Sequence, residues 1–338
     1  MEKSLLEKWQ KIYFFAIKIS NYQPWDKFNE DDRIVYMNKN ESKTFFYSFL
    51  GESCSQCGIA CYTDLDDYNN ARKRLSESNL KNEPVFFLQN ALIGLWGNRE
   101  DVSKENYNLL KELGLKCRGK GGWLHFEKYE TGYAPTMPDE DEAEILGDAL
   151  EQLYMALTAV YEKGVSVDFN NGETLTRWYS EEDELYYTHG MKLDLPTETD
   201  NRLLYFKDNE DFHKLKTMPL SNYSIEIDMS YLNAVIKDKG RKFFPKLLLG
   251  VNSKTGVIIF EHLFAPDEQT HITVINAIDR MLTRLGKPSQ IFICSDELES
   301  ILKDFCSKGN IKLTFKKRLL EIDKARKSIE QNCFWIIK

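Results

Sequence analysis

Two aspartates stand where the chain pattern could bring carboxylates together. Tyr223-Ser-Ile-Glu-Ile-Asp-Met-Ser-Tyr-Leu232 alternates Ile225, Ile227 and Met229 on one face with Glu226, Asp228 and Ser230 on the other, the period of a strand. Asp296 follows directly on the β-rich run Gln290-Ile-Phe-Ile-Cys-Ser295. Two divalent cations about 3.5–4 Å apart, clamping the attacking and leaving oxygens of a phosphodiester, need several oxygen ligands in one small volume. Asp228 and Asp296 could supply the first of them if their strands are neighbours. A plainer reading gives each acid a structural task. Glu226 and Asp228 then line a solvent-facing strand, Asp296 caps a helix starting at Glu297, and Asp323, Arg326 and Glu330 make an ion-paired helix face at i, i+3 and i+7. Acids at caps and on exposed faces are far commoner than metal clusters, so the plainer reading is preferred.

The surrounding elements decide whether these acids can meet. After the Tyr223 strand come the β-rich runs Pro245–Val251 and Gly256–Phe264, joined by Asn252-Ser-Lys-Thr-Gly256, which has hairpin-turn chemistry. A helix follows with apolar residues at Ile272, Ile275, Ile278, Met281, Leu282 and Leu285, then the Gln290 strand, a second helix, and the strand Ile311–Phe315. A meander that turns into alternating helix and strand predicts a mixed sheet flanked by helices. The fourth strand should cross over right-handedly to lie parallel to the Tyr223 strand, which sits between it and the second strand.

This order resembles the ribonuclease H-like fold of integrases and cut-and-paste transposases. The resemblance implies an Asp on the first strand and an Asp after the fourth converging with an acid on a later helix to hold two divalent cations. Asp228 and Asp296 match the first two positions, 68 residues apart; Glu330, 34 residues further on, or the nearer Asp323 matches the third. The chain departs from the transposase pattern at Asp296-Glu-Leu-Glu299, where a small or polar pair usually follows the second Asp. That departure points to a degenerate site.

Further phrases are similar to an uncharacterised bacterial family in which two domains of unknown function occur in tandem. They are Gly51 with Gly58-Ile-Ala-Cys-Tyr62, Leu113-Gly-Leu-Lys-Cys-Arg-Gly-Lys120, Gly132-Tyr-Ala-Pro135, Pro245–Leu249, Gly286-Lys-Pro288, Ile291–Glu297 and Leu320–Arg326. This resemblance brings no activity with it. It favours Asp228, Asp296 and Asp323 over Glu330, because those three fall within the matching phrases.

Other motifs carry less chemistry. Cys54, Cys57 and Cys61 could hold zinc with a fourth ligand, but no second cysteine pair follows. Cys57 and Cys61 share the parity of Ile59, which places them on one strand face as buried thiols. Arg118-Gly-Lys-Gly-Gly-Trp123 lacks the spacing of a phosphate loop and leads into a strand rather than a helix, so it reads as a turn. The five histidines and the serines form neither a zincin nor a nucleophile-elbow pattern.

Length and charge bound what remains. A chain of 338 residues predicts two domains. Residues 1–164 read as α+β, with strands at Arg33–Met37, Thr44–Leu50, Gly58–Tyr62, Pro84–Leu88, Leu92–Trp96 and Trp123–Phe126. Helices are expected near 66–77, 104–113 and 139–163, and at the N-terminus, where Leu5, Trp9, Ile12, Tyr13, Ala16 and Ile17 form a stripe. Residues 165–219, with hairpin-like segments and a strand at Arg202–Phe206, are expected to form a connector completing that domain, and 220–338 the α/β domain that resembles ribonuclease H. The net charge of −8 argues against strong nonspecific nucleic-acid binding by the whole chain. Residues 220–338, with 19 Lys and Arg against 14 Asp and Glu, are mildly basic, which leaves nucleic acid open as a partner of that domain. No apolar run reaches membrane-spanning length, and seven scattered cysteines suit a reducing cytoplasm. The preferred expectation is a cytosolic binding or scaffold protein without a cofactor and with a possible protein partner. The alternatives are a Mg- or Mn-dependent nuclease or strand-transfer enzyme and a regulatory protein-docking module.

Overall fold

In this computed structural model the described residues are 3–29, 31–39, 43–51, 57–76, 89–194, 215–232, 234–238, 240–265 and 268–333. The chain divides into two compact units, Met1–Thr131 with Pro135–Glu198, and Gly132–Ala134 with Thr199–Lys338. Among the described residues no helix is long and apolar enough to cross a membrane.

The first unit contains α1 (Lys3–Ser20), β1 (Ile34–Met37), β2 (Thr44–Leu50), β3 (Cys57–Tyr62), α2 (Leu65–Ser76), β4 (Ala91–Gly97), α3 (Lys104–Glu112), β5 (Trp123–Tyr129), α4 (Glu140–Tyr161), β6 (Thr174–Ser180) and β7 (Leu185–Met191). Its strands form one sheet in the order β5-β4-β3-β2-β1-β6-β7. β1 and β6 run parallel and every other pair is antiparallel. The hairpin β6–β7, read from sequence as part of a connector, extends this sheet beyond β1.

Strand alternation sorts the side chains between two cores. Ile59 and Cys61 of β3 pack with Trp9, Ile12 and Tyr13 of α1 and Leu146, Leu150 and Leu153 of α4. Ala60 and Tyr62 face the other way, against Tyr68 and Ala71 of α2. Cys61 is thus a core side chain, and burial pushes its thiol up to about 12. The α1 stripe continues through Ile19 rather than Ile17, which is exposed; Ile19 keeps the seven-residue step from Ile12 that holds a helix face to one side. α4 opens on a capping box, with Asp139 accepting from the Glu142 amide at 2.9 Å and Glu142 from the Asp139 amide at 3.0 Å. The glycine-rich stretch is a turn: Gly119 and Gly121 take φ values of 76° and 69° and the chain passes straight into β5. The strands expected at Pro84–Leu88 and Arg202–Phe206, and Cys54, lie outside the described residues.

The second unit contains β8 (Leu220–Tyr231), β9 (Ile236–Asp238), β10 (Arg241–Phe243), β11 (Lys246–Asn252), β12 (Ile258–Phe264), α5 (Thr270–Leu285), β13 (Lys287–Ile293), α6 (Asp296–Lys308), β14 (Lys312–Phe315) and α7 (Leu320–Cys333). Its main sheet has the order β12-β11-β8-β13-β14. β8 pairs antiparallel with β11 and parallel with β13, the arrangement expected from a strand that returns through a helical crossover. The turn between β11 and β12 is closed by Asn252, whose Oδ1 accepts from the amides of Lys254 and Thr255 at 3.0 and 3.1 Å.

Both faces of this sheet are covered. Ile225, Ile227 and Met229 of β8 pack with Leu248, Ile291 and Ile293 against Ile278 of α5 and Leu298 and Leu302 of α6. On the opposite face Leu247, Leu249 and Val251 of β11 pack against Ile322 and Ala325 of α7. The second face is the one that also carries Glu226 and Asp228.

Candidate functional site

The expectation that Glu226 and Asp228 point into solvent is corrected by the structure. Both are buried, at 4 and 7% exposure, because α7 lies over the polar side of β8. A buried carboxylate needs partners for its lone pairs, and each acid finds them on that helix.

Glu226 serves the start of α7. Leu319, the residue before the helix, has no side-chain acceptor to offer. Instead Glu226 Oε2 accepts from the amides of Glu321 and Ile322 at 2.9 and 3.2 Å, while its Oε1 lies 3.7 Å from Lys316 Nζ. A residue 95 positions earlier thereby satisfies first-turn donors that a local Ser or Asp would normally take, and its negative charge meets the positive end of the helix. Replacing Glu226 with Gln keeps an acceptor and removes the charge. The expected cost is about 1 kcal/mol, seen as a lower unfolding midpoint together with faster hydrogen exchange at the Glu321 and Ile322 amides.

Asp228 is held by Arg326, one turn beyond Ile322 on α7. The Arg326 guanidinium Nη2 donates to Asp228 Oδ2, and the Cys294 thiol donates to Oδ1 at 3.3 Å. The Asp228 side chain is 9% exposed and that of Arg326 28%. Burial first, and then the Asp228 charge, push the Cys294 thiol up to about 12, so it remains a proton donor at neutral pH.

The other candidate acids sit elsewhere. Asp296 is exposed as the first residue of α6. It does not cap that helix, as the sequence suggested; Ser295 does, its hydroxyl accepting from the Leu298 amide at 3.4 Å. Asp323 faces Arg318, whose Nε donates to Oδ2 at 2.5 Å, so the expected pairing of Asp323 with Arg326 is replaced by two separate ion pairs. Glu330 lies in the last turns of α7. Among the described residues no group of three or more His, Cys, Asp or Glu side chains converges as a set of metal ligands.

Sequence reasoning places Arg326 in an ion pair along its own helix and misses its pairing with Asp228, as well as Cys294 and the role of Glu226. A signal for the first was available: Ile322, Ala325, Arg326 and Ile329 fall at i, i+3, i+4 and i+7, the spacing of one buried helix face. A charge inside such a stripe calls for an opposite charge on whatever the helix covers.

Two family models match the chain. Residues 9–177 match a domain of unknown function (DUF7309) and residues 211–330 another domain of unknown function (DUF6930). No curated protein matches. Among solved structures, the HTLV-2 integrase catalytic core domain in complex with magnesium is similar at 19% identity, with 33% of this chain and 70% of that chain covered and a TM-score of 0.25. The BIV integrase catalytic core domain is similar at 11% identity, covering 33% and 68%, with a TM-score of 0.26. Likeness at that level says nothing about chemistry.

Proposed function

The chain belongs to the DUF7309 family, and we propose that its second unit is a ribonuclease H-like domain whose acidic strand has been turned from catalysis to structure, making this a binding or scaffold protein. The observation that carries the reading is the buried ion pair between Asp228 and Arg326. In a two-cation site a first-strand aspartate would have its oxygens open to metal; here a guanidinium holds one and a thiol the other. The strand order, with the acid-bearing β8 between an antiparallel and a parallel neighbour, supports the fold assignment.

The residues present do not fit a pair of Mg or Mn ions. Asp228 is neutralised within hydrogen-bond reach, Asp296 is exposed at a helix start, and Asp323 is engaged by Arg318. A reducing, cytoplasmic setting belongs to the same proposal and is supported by the buried free thiols of Cys61 and Cys306.

Calorimetric titration of the full chain with Mn²⁺ should give no stoichiometric binding heat. Incubation with single- and double-stranded DNA and RNA should leave the substrates intact. Metal-dependent cleavage that disappears in both Asp228→Ala and Asp296→Ala would establish the nuclease alternative instead.

A further inference from the structure

Beyond the Asp228 site, the opposite side of the second unit carries a groove between an open sheet edge and a helix. β12 is the outermost strand of its sheet, so one row of its amides and carbonyls faces outward among the described residues. Between β12 and α5 runs a cavity of about 400 Å³, lined on the strand by Ile258, Phe260 and His262 and on the helix by Met281, Arg284 and Leu285, among others.

The space has a local cause. Phe260 stands opposite Gly250 on β11, and a Cβ at Gly250 would come within 2.4 Å of the Phe260 ring. The absent side chain lets the ring settle toward the sheet, which leaves the groove open above it.

Among the described residues the edge keeps apolar side chains in solvent. Proline, inward charge or a covering element commonly blunts an exposed strand, yet Val257, Ile258 and Leu263 are 61, 39 and 45% exposed, and Leu285 of α5 is 47% exposed. The helix wall adds charge. Arg280 and Arg284 both line the groove one turn apart, and neither has a carboxylate partner among the described residues; Arg280 Nε donates only to its own helix, to the Asn276 carbonyl at 3.2 Å. One acid, Glu261, belongs to the strand wall, and His262 is already engaged with Glu268 at 2.7 Å. The helix side of the groove is thus cationic and the strand side carries the hydrogen-bonding edge.

We propose that this groove docks an extended segment of a protein partner, added to β12 as a sixth strand, with alternate apolar side chains over Phe260 and Met281 and an Asp or Glu bound by Arg280 and Arg284. Main-chain pairing to an edge supplies affinity in such complexes and the pockets for alternate side chains supply selectivity. Paired arginines on one helix face suit a carboxylate. The proposal stands apart from the Asp228 reading, since no group of that site lines this groove.

A random peptide library displayed on phage, selected against the full-length protein in the presence of EDTA, tests it. The expected result is enrichment of peptides that alternate apolar residues with Asp or Glu. A fluorescein-labelled synthetic copy of an enriched peptide should bind at least about tenfold more weakly to Arg280→Glu/Arg284→Glu, and similarly lose affinity on N-methylation of alternate backbone amides. The exposed arginines can be reversed without touching the core, and an unchanged unfolding midpoint verifies that the variant is folded. Binding insensitive to the charge reversal, or no enriched sequence, overturns the proposal. So does sedimentation showing a dimer that dissociates in the double variant, because a second copy would then be the occupant. The chelator keeps the outcome independent of cation binding at Asp228, so either reading can fail alone.

Discussion

Arg326→Met is expected to lower stability by about 3 kcal/mol, toward the low end of the range for breaking a buried ion pair from one side. The low end applies because the Arg326 side chain keeps 28% of its surface in water, which screens its attraction for Asp228, whereas the Asp228 side chain is only 9% exposed and stays largely buried when left alone. After the substitution, the Asp228 carboxylate retains, among the described residues, only the Cys294 thiol, a weak donor at 3.3 Å. The partner change separates this from a general packing defect. Asp228→Leu combined with Arg326→Met removes both charges and places apolar groups among Leu249, Ile322 and Ala325, so the double variant should be near wild type and far less destabilised than the sum of the singles. Urea unfolding followed by far-UV circular dichroism measures all four species. If Arg326→Met costs less than about 1 kcal/mol, or the double variant is additive, Arg326 is not neutralising a buried charge.

The same pair shows what the sequence carried and what it could not. Period-two alternation sorted Ile225, Ile227 and Met229 from Glu226 and Asp228, and the element order placed β8 between β11 and β13; the sheet agrees on both points. Alternation distinguishes two faces of a strand without saying what lies over each. From sequence the polar face of β8 reads as open to solvent, because carboxylates usually are. That inference failed when α7 supplied its N-terminal amides and a guanidinium, partners 95 and 98 residues distant in sequence. The Asp296 cap was misplaced by one residue for a local reason: Ser295 and Asp296 are both good capping residues, and only the backbone decides between them. The ribbon β9–β10 was missed as well, since strands of three residues are too short to display a period.

In the first unit the residue pattern marks β4 and β5 as strands without revealing how closely they approach. Gly94 stands opposite Phe126 in that ladder, and a Cβ added at Gly94 would lie 2.6 Å from Cε1 of the Phe126 ring. The ring cannot retreat easily: it is 1% exposed, edge-on to Tyr13 at 5.1 Å between centroids and 6.0 Å from Trp9. Gly94→Ala is therefore expected to cost about 3 kcal/mol, the upper part of the range for overpacking a core, because the close atom belongs to a ring held on several sides. Phe126→Leu alone should cost about 1.5 kcal/mol through lost burial and a partial cavity. Combining them gives the methyl group room, so the double variant should be more stable than additivity predicts by at least about 1 kcal/mol. Guanidinium unfolding read by near-UV circular dichroism, which senses the Trp9, Tyr13 and Phe126 cluster, measures each cost, with a multi-state fit where the two units melt separately. A Gly94→Ala protein as stable as wild type, or strict additivity with Phe126→Leu, would mean that the ladder shifts to admit a side chain and that glycine is not required there.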